Sequence, residues 1–250
     1  MVTRSLSRVE LKYFITKEEM LMARSLIAPF MQLDPYAQGR ENRHYTVRSI
    51  YFDTPSLRFY HEKEAGKNVR KKLRLRAYNT YSAGSMSFAE IKRKYGNAIV
   101  KERVGMPFDL AAALLGDGSS NGNGPVDISD LDLSNASQER LDRFLVLRET
   151  LWLSPTVLIV YDREPYIGKA NPRVRVTFDC YMRSMIRPTM KEMFAEKDLR
   201  CLSNGKQILE IKFNGPMPQW LRPLTARLNR SHRPISKYCK GIDLWSRPAS

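Results

Sequence analysis

Several stretches of the chain alternate aliphatic and charged residues with a period of two, the repeat of a strand whose successive side chains face opposite ways. In Arg8-Val9-Glu10-Leu11-Lys12-Tyr13 the charges stand at 8, 10 and 12, with Val9, Leu11 and Tyr13 opposite. In Lys72–Ala77 one face is Lys72, Arg74 and Arg76, and the other Leu73, Leu75 and Ala77. Phe88–Lys94 puts Glu90, Lys92 and Lys94 together, and Ile99–Val104 does the same for Lys101 and Arg103. Arg173, Arg175 and Asp179 oppose Val174, Val176 and Phe178, and Leu209–Phe213 sets Glu210 and Lys212 against Leu209, Ile211 and Phe213. Val47–Asp53 and Thr156–Arg163 are further, more apolar strand candidates.

Between these stretches the apolar period lengthens to that of a helix. Thr16 is placed to cap a helix over Lys17–Met31, with Glu19 as the acid of a capping box. Met20, Leu21, Ala23, Leu26, Ile27 and Phe30 form its apolar stripe. Pro107–Leu115 predicts a short helix, Ser137 caps a helix over Gln138–Trp152, and Pro218–Asn229 is another candidate. Thr54–Gly66 reads as a connection that carries Lys63, and 183–205 as a loop with a short helix. Gly116–Pro125 is the one low-complexity stretch and reads as a flexible surface loop. The strand pattern is of one kind on both sides of it, so a single domain over 1–250 is expected.

A solvent-facing strand surface mixes hydroxyls, amides and both charge signs. Here Arg and Lys dominate face after face, with isolated carboxylates between them. Like charges across neighbouring strands repel, so such faces are tolerable where something anionic lies over them. Two architectures satisfy this: an open sheet gripping nucleic acid, or a closed barrel with a charged lumen and its aliphatic side packed against helices. The amphipathic helices need that aliphatic side to bury against. The expected fold is therefore α+β, a closed antiparallel β-barrel with helices outside.

Composition adds the sign of the partner. Of 250 residues, 42 are Lys or Arg and 26 Asp or Glu, a formal charge of +16. That balance implies a polyanion: nucleic acid, an anionic lipid surface or a phosphate-rich small molecule. With 42% hydrophobic and 27% charged residues, global disorder is excluded. No apolar run approaches a membrane span, and Met1–Arg8 lacks the apolar stretch of a signal peptide. Cys180, Cys201 and Cys239 form no C-x-x-C pair, so a disulfide framework and a cysteine zinc site are both disfavoured. A soluble protein of a reducing, cytoplasmic compartment is expected.

Familiar catalytic templates are missing. His44, His61 and His232 lack metal-ligand spacing, and there is no G-x-S-x-G, no P-loop and no G-x-G-x-x-G. Phosphate would have to be held by side chains, Arg as a bidentate fork and Lys as a point charge. An octahedral Mn²⁺ or Mg²⁺ needs one or two carboxylates and completes its shell with phosphate oxygens and water. Glu210 is the leading candidate and Glu10 the second, with ion pairing to a neighbouring Lys or Arg as the other role for Glu10. Asp179, beside Arg175, is expected to position its neighbours rather than bind metal.

The ordered set Arg8-x-Glu10-x-Lys12-Tyr13, Ser49–Thr54, Lys72–Arg76, Glu90-x-Lys92, Tyr161-x-Arg163, Val174-Arg175-x-x-x-Asp179, Leu209-Glu210-x-Lys212 and Ser236-Lys237-Tyr238 resembles the catalytic domain of vacuolar transporter chaperone proteins. Those are polyphosphate polymerases of the triphosphate tunnel superfamily. The resemblance runs from about Arg8 to Leu244. The wider superfamily opens with E-x-E-x-K. Arg8 in the first place removes one metal carboxylate and points to the polymerase branch. The resemblance implies a basic tunnel in which Lys12, Lys63, Arg74, Arg76, Lys92, Lys101, Arg163 and Arg175 contact nucleotide or polyphosphate, Lys63 standing where the family often has Arg. It implies Glu210 as metal ligand and Lys237 near the transferred phosphate, with Arg74, Arg76 and Lys92 as its catalytic companions. The regulatory SPX domain and membrane helices of the vacuolar proteins have no counterpart in the chain, so a free-standing domain is expected.

Three functions follow as expectations. The first is transfer of the terminal phosphoryl group of ATP to a growing polyphosphate chain. The second is a triphosphatase of the same fold, with water as acceptor. The third is non-catalytic binding of RNA or DNA, kept open by Tyr78, Tyr81 and Tyr95 after basic strands. Carboxylates within the basic faces disfavour the third, since a backbone binder gains nothing from them. The expected partners are ATP and inorganic polyphosphate, not nucleic acid.

Overall fold

The computed structural model describes residues 8–96, 98–116, 133–229 and 234–246. The expected loop from residue 117 to 125, His232 and residues 1–7 lie outside these. The packing resolves into two compact units built from interleaved segments. Unit 1 comprises residues up to Thr46, Tyr161–Met182 and Cys201–Ser236. Unit 2 comprises Val47–Val160, Arg183–Arg200 and the segment from Lys237 on.

In unit 1, β1 (Arg8–Ile15) leads into α1 (Lys17–Ile27) and the short β2 (Met31–Leu33). The Thr16–Glu19 capping box is formed in both directions. The helix ends four residues before the expected Met31: Pro29 follows Ala28 and cannot continue it, and Met31 instead pairs with Gly168 as a strand. The candidate helix at 218–229 is a 3₁₀ turn at Gln219–Leu221 followed by α5, Arg222–Arg227. Tyr13, Ile15, Met20, Ala23, Ile27, Val176, Phe178, Leu209, Ile211 and Leu224 close over one another as a buried core. The aliphatic strand faces thus meet the helices, and the charged faces are left on the other side.

In unit 2, β3 (Tyr45–Asp53, from Val47 on) runs into α2 (Arg58–Glu64), then the meander β4 (Val69–Tyr78), β5 (Met86–Tyr95) and β6 (Ala98–Pro107). α3 (Phe108–Leu115) and α4 (Asn135–Thr150) follow. The segment read as a connection at 54–66 thus contains a helix. Its first-turn N–H groups bond Thr54 Oγ1 and the Asp53 carboxylate, a capping signal placed at the strand end. The fourth helix starts at Asn135 rather than Gln138, with Ser134 at its N-cap. It ends before Trp152, which has φ +53° and is 81% exposed rather than part of the apolar stripe. Leu73, Leu75, Ala77, Ala89, Ile91, Val104 and Met106 pack under Phe108, Ala111, Leu115, Leu141 and Phe144 as a second core.

β7 (Ser154–Gly168) and β8 (Arg175–Ile186) contribute to both units, β9 (Arg200–Cys201) pairs with β8, and β10 (Gln207–Asn214) lies between β1 and β8. β8 runs on to Ile186, into the segment expected as loop, and a 3₁₀ turn follows at Met190–Phe194. The hydrogen-bonded order is β1-β10-β8-β7-β3-β4-β5-β6, with β1–β10, β10–β8, β3–β4, β4–β5 and β5–β6 antiparallel. A closed barrel needs a further pairing between β1 and β6, and none is present among the described residues. The antiparallel sheet with helices on its aliphatic face is as expected; the closing seam is not part of the structure. The chain ends in α6 (Lys237–Ser246), in unit 2.

Candidate functional site

The expected site residues fall into two sets, one in each unit. In unit 1, register brings Glu10 opposite Lys212 and Lys12 opposite Glu210, with Thr177 and Arg175 on the next strand. This makes a checkerboard. Lys12 Nζ lies 3.5 Å from Glu10 and 3.4 Å from Glu210, and Lys212 Nζ 3.3 Å and 2.9 Å from the same two carboxylates. Arg163 forks onto Asp179 at 2.7 and 2.9 Å and reaches Glu210 at 3.5 Å. Asp179, fully buried, therefore holds the Arg163 guanidinium in place. Arg175, half exposed, contacts Asp34 at 3.4 Å. Arg163, Arg175, Lys212, Glu210 and Thr177 line a cleft of about 70 Å³, completed by Arg8, Asp34, Tyr45, Pro165 and Tyr166.

Burial would raise the pKa of Glu210. The hydrogen bond with Glu10 and the charges of Lys212, Lys12 and Arg163 outweigh it and hold the carboxyl well below its usual range. Burial would likewise neutralise Arg163, but the charge of Asp179 above all keeps it firmly protonated. Glu210 is thus a carboxylate held toward its ionised form in a nearly dry place. Glu10 and Glu210 are hard oxygen donors within reach of one another, which fits a divalent cation bound through two carboxylates plus substrate oxygens. Among the described residues no three His, Cys, Asp or Glu side chains group together. The donor set suits a cation shared with a phosphate ligand rather than one caged by protein alone.

In unit 2 the charged faces of β4, β5 and β6 lie side by side. One row across the three strands is Arg74, Glu90, Arg103, and the next is Lys72, Lys92, Lys101. Glu90, 1% exposed, takes Arg74 at 2.5–2.6 Å, Lys101 at 2.8 Å and Arg103 at 3.5 Å. Burial would raise its pKa, but Arg74, Arg76 and Lys101 bring it down to about 2. Arg76 bonds Ser49 Oγ at 3.3 Å. Arg74 bonds the Tyr51 hydroxyl at 3.0 Å, and only a fifth of its side chain is exposed. Lys63 is half-buried on α2, and Lys237, half-buried, opens α6.

α6 is seated at several points. Tyr238 donates to Asp53, Tyr60 of α2 donates to Asp243 at 2.7 Å, and Trp245 donates to Ser184 at 3.2 Å. Gly241 presses on Ile159 and Val157. These contacts fix Lys237 beside Tyr238, whose ring centroid is 5.2 Å from that of Tyr51 and under Lys72 Nζ at 5.6 Å.

A family model described as the VTC domain matches residues 7–246. The chain belongs to the VTC domain family. In structure this VTC domain is similar to a Bacillus halodurans protein described as an adenylate cyclase, with 13% identity and a TM-score of 0.49, over 92% of this chain and 96% of that one. It is also similar to a Hippeastrum protein described as an adenylyl cyclase with a dominant triphosphatase activity, with 9% identity and a TM-score of 0.45, over 94% of each chain. No curated protein matches it in sequence. No helix of this VTC domain among the described residues is long and apolar enough to cross a membrane.

Several residues of the two clusters were not singled out by sequence. Glu90, Arg103 and Lys212 were visible as members of charged faces and gained weight through register. Thr177, Asp34 and Tyr45 gave no signal of their own, and Tyr51 and Tyr238 stood inside quoted motifs without a role, because their neighbours come from distant segments. Two histidines play local parts, His44 contacting the Asn42 carbonyl at 2.9 Å and His61 lying edge-on to Tyr60.

Proposed function

We propose that this VTC domain is a metal-dependent phosphotransferase that builds polyphosphate from ATP. The terminal oxygen of the growing chain attacks the γ-phosphorus, the bond to the bridging oxygen of ADP breaks, and ADP leaves. The observation that carries this reading is the row Lys72, Lys92, Lys101, like charges set directly across three paired strands. Arg74 and Arg103 flank the row, and the one carboxylate set among these cations, Glu90, already pairs with Arg74, Lys101 and Arg103, so the face carries an excess of positive charge suited to an anion.

Phosphoryl transfer needs positioning and charge stabilisation more than covalent chemistry from the protein. In this reading Arg74, Arg76, Lys92 and Lys101 hold phosphate oxygens in unit 2, with Lys63 near the ligand's end. Lys12, Arg163 and Arg175 do so in unit 1. Lys237 stabilises charge on the transferred group. Glu210 and Glu10 would hold Mn²⁺ or Mg²⁺, which supplies charge neutralisation on the phosphate oxygens when bound. The closed barrel implied by the family resemblance, a single domain over the whole chain and a cytoplasmic location belong to the same reading.

The test is purified protein with ATP, Mn²⁺ and a short polyphosphate primer, resolved on a gel. A ladder of lengthened products is expected. Orthophosphate as sole product would make the protein a triphosphatase, and absence of turnover with tight RNA binding would make it a nucleic-acid binder.

A further inference from the structure

We propose that Tyr51 is a phosphate-contact residue, its hydroxyl donating a hydrogen bond to an oxygen of a phosphate chain bound on the basic face of unit 2. The inference rests on the preceding reading only in that this face takes a phosphate chain; it does not depend on turnover.

Tyr51 lies on β3 directly across from Arg74, and Ser49 across from Arg76. The Tyr51 hydroxyl accepts from Arg74 Nη1 at 3.0 Å. The charged groups that act on it from β4 are Arg74, Arg76 and Lys72. From α6 it meets Tyr238, whose hydroxyl is already given to Asp53. Asp53, on the same face of β3, is itself saturated by the N–H groups of Thr54, Phe59 and Tyr60. Ser49 Oγ is taken up by Arg76.

A phenol can accept and donate at once. Tyr51 accepts from a guanidinium, and its own proton has no acceptor among the described residues. At 8% exposure it has little access to bulk water, and a buried donor without a partner is costly. Its charged neighbours, Arg74, Arg76 and Lys72, have no lone pair to offer, and among the described residues no hydrogen bond joins the Tyr51 hydroxyl to that of Tyr238 or Ser49. The missing partner is an anionic oxygen, and a phosphate chain drawn to Arg74, Arg76 and Lys72 brings one.

The acidity of the phenol agrees. Burial would raise its pKa, but the charges of Arg74, Arg76 and Lys72 and the hydrogen bond from Arg74 bring it down to about 8. A more acidic phenol is the stronger donor to a phosphate oxygen. An anion bound there favours the protonated form and moves the pKa back up. Ionisation of Tyr51 as pH rises through about 8 removes the donor and adds a charge that repels phosphate. Among the described tyrosines with displaced acidity, Tyr13, Tyr60, Tyr81, Tyr166 and Tyr238 all move upward, so the Tyr51 phenolate is spectroscopically separable.

The experiment titrates inorganic tripolyphosphate into the protein near the Tyr51 pKa of about 8, following tyrosinate absorbance, and measures affinity by calorimetry for the wild type and Tyr51→Phe. Absorbance should fall on binding in the wild type and stay flat in the variant. At neutral pH the variant should bind about tenfold more weakly, the loss of one hydrogen bond to a charged acceptor. Above the Tyr51 pKa that wild-type advantage should vanish. Wild-type binding with no absorbance change and an equal affinity for Tyr51→Phe overturns the Tyr51 contact and leaves the phosphate-binding reading standing. Wild-type protein that binds no tripolyphosphate overturns both. The absorbance arm needs no substitution, so a poorly folded variant does not remove the test.

Discussion

Glu210 and Glu90 play the same electrostatic part in the two units, each a buried carboxylate kept ionised by three or more cations. Their substitutions should nevertheless differ. Glu210→Gln keeps shape but removes the charge that would hold the metal. It should abolish Mn²⁺-dependent turnover while leaving metal-free binding of tripolyphosphate nearly intact, because Lys12, Lys212 and Arg163 remain. Full activity of the variant at saturating Mn²⁺ would move the metal site elsewhere. Glu90 instead governs acid stability. Its folded pKa of about 2 lies below the ordinary 4.5, so it stabilises the fold above about pH 4.5 and loses that contribution as pH falls toward 2. The contribution is roughly 3 kcal/mol. Denaturant unfolding across that range should show a steep acid limb in the wild type and a shallower one in Glu90→Gln; identical limbs would mean that Glu90 is not held ionised. Both glutamates were legible in sequence, because each interrupts a basic face at strand spacing. Tyr51 and Tyr238 were not. Each sits in a short motif, but their stacking needs β3 and α6 to meet, and no local pattern encodes that meeting.

The centres of eight strands were readable because their signal, a two-residue alternation over both faces, is local and repeated, but β7 and β8 run on to Gly168 and Ile186 past the stretches that alternate, and the short β2 and β9 were not read. Helix ends were less so, since they depend on what the chain does next. The helix from Lys17 stops early because Pro29 follows and because Met31 finds a strand partner at Gly168. The helix at α2 escaped notice because its cap is a buried aspartate at the end of a strand. For the last helix, α6, the only signal in the sequence is the Ser236-Lys237-Tyr238 motif, and the seating of the helix is a packing fact. A Cβ at Gly241 would come 2.6 Å from Ile159 Cδ1 and 2.9 Å from Val157 Cγ2. Alanine in a helix interior gains up to about 1 kcal/mol of propensity over glycine, whereas overpacking costs about 1–3 kcal/mol. Overpacking should win here, because both contacted side chains are fully buried and β-branched. Gly241→Ala should therefore lower the melting temperature and, by lifting α6, lower turnover through Lys237 more than it weakens ATP binding. A variant that melts higher than wild type would show that α6 is not seated against β7 as described.

The net charge of +16 is spread over faces that the sequence already showed to be basic, and it makes the ligand-free protein self-repelling. Two effects should then raise its stability, and they can be separated. Plain salt screens the repulsion over a Debye length of about 8–10 Å near physiological ionic strength, so added sodium chloride should raise the melting temperature gradually and without saturation at micromolar levels. A polyanion that binds the folded faces adds the mass-action term, about 2.7 kcal/mol at a hundredfold excess over its dissociation constant. For a chain of this length that corresponds to roughly 5–10 °C. Tripolyphosphate should therefore raise the melting temperature saturably at concentrations where sodium chloride of equal ionic strength does nothing. The shift should shrink as background salt is increased, because the binding is carried by lysine and arginine on partly exposed faces. Arg74→Ala and Arg175→Ala, one from each unit, should each reduce the shift. A tripolyphosphate response no larger than that of sodium chloride at matched ionic strength would mean that the basic faces only repel, and that no polyanion site is built into them.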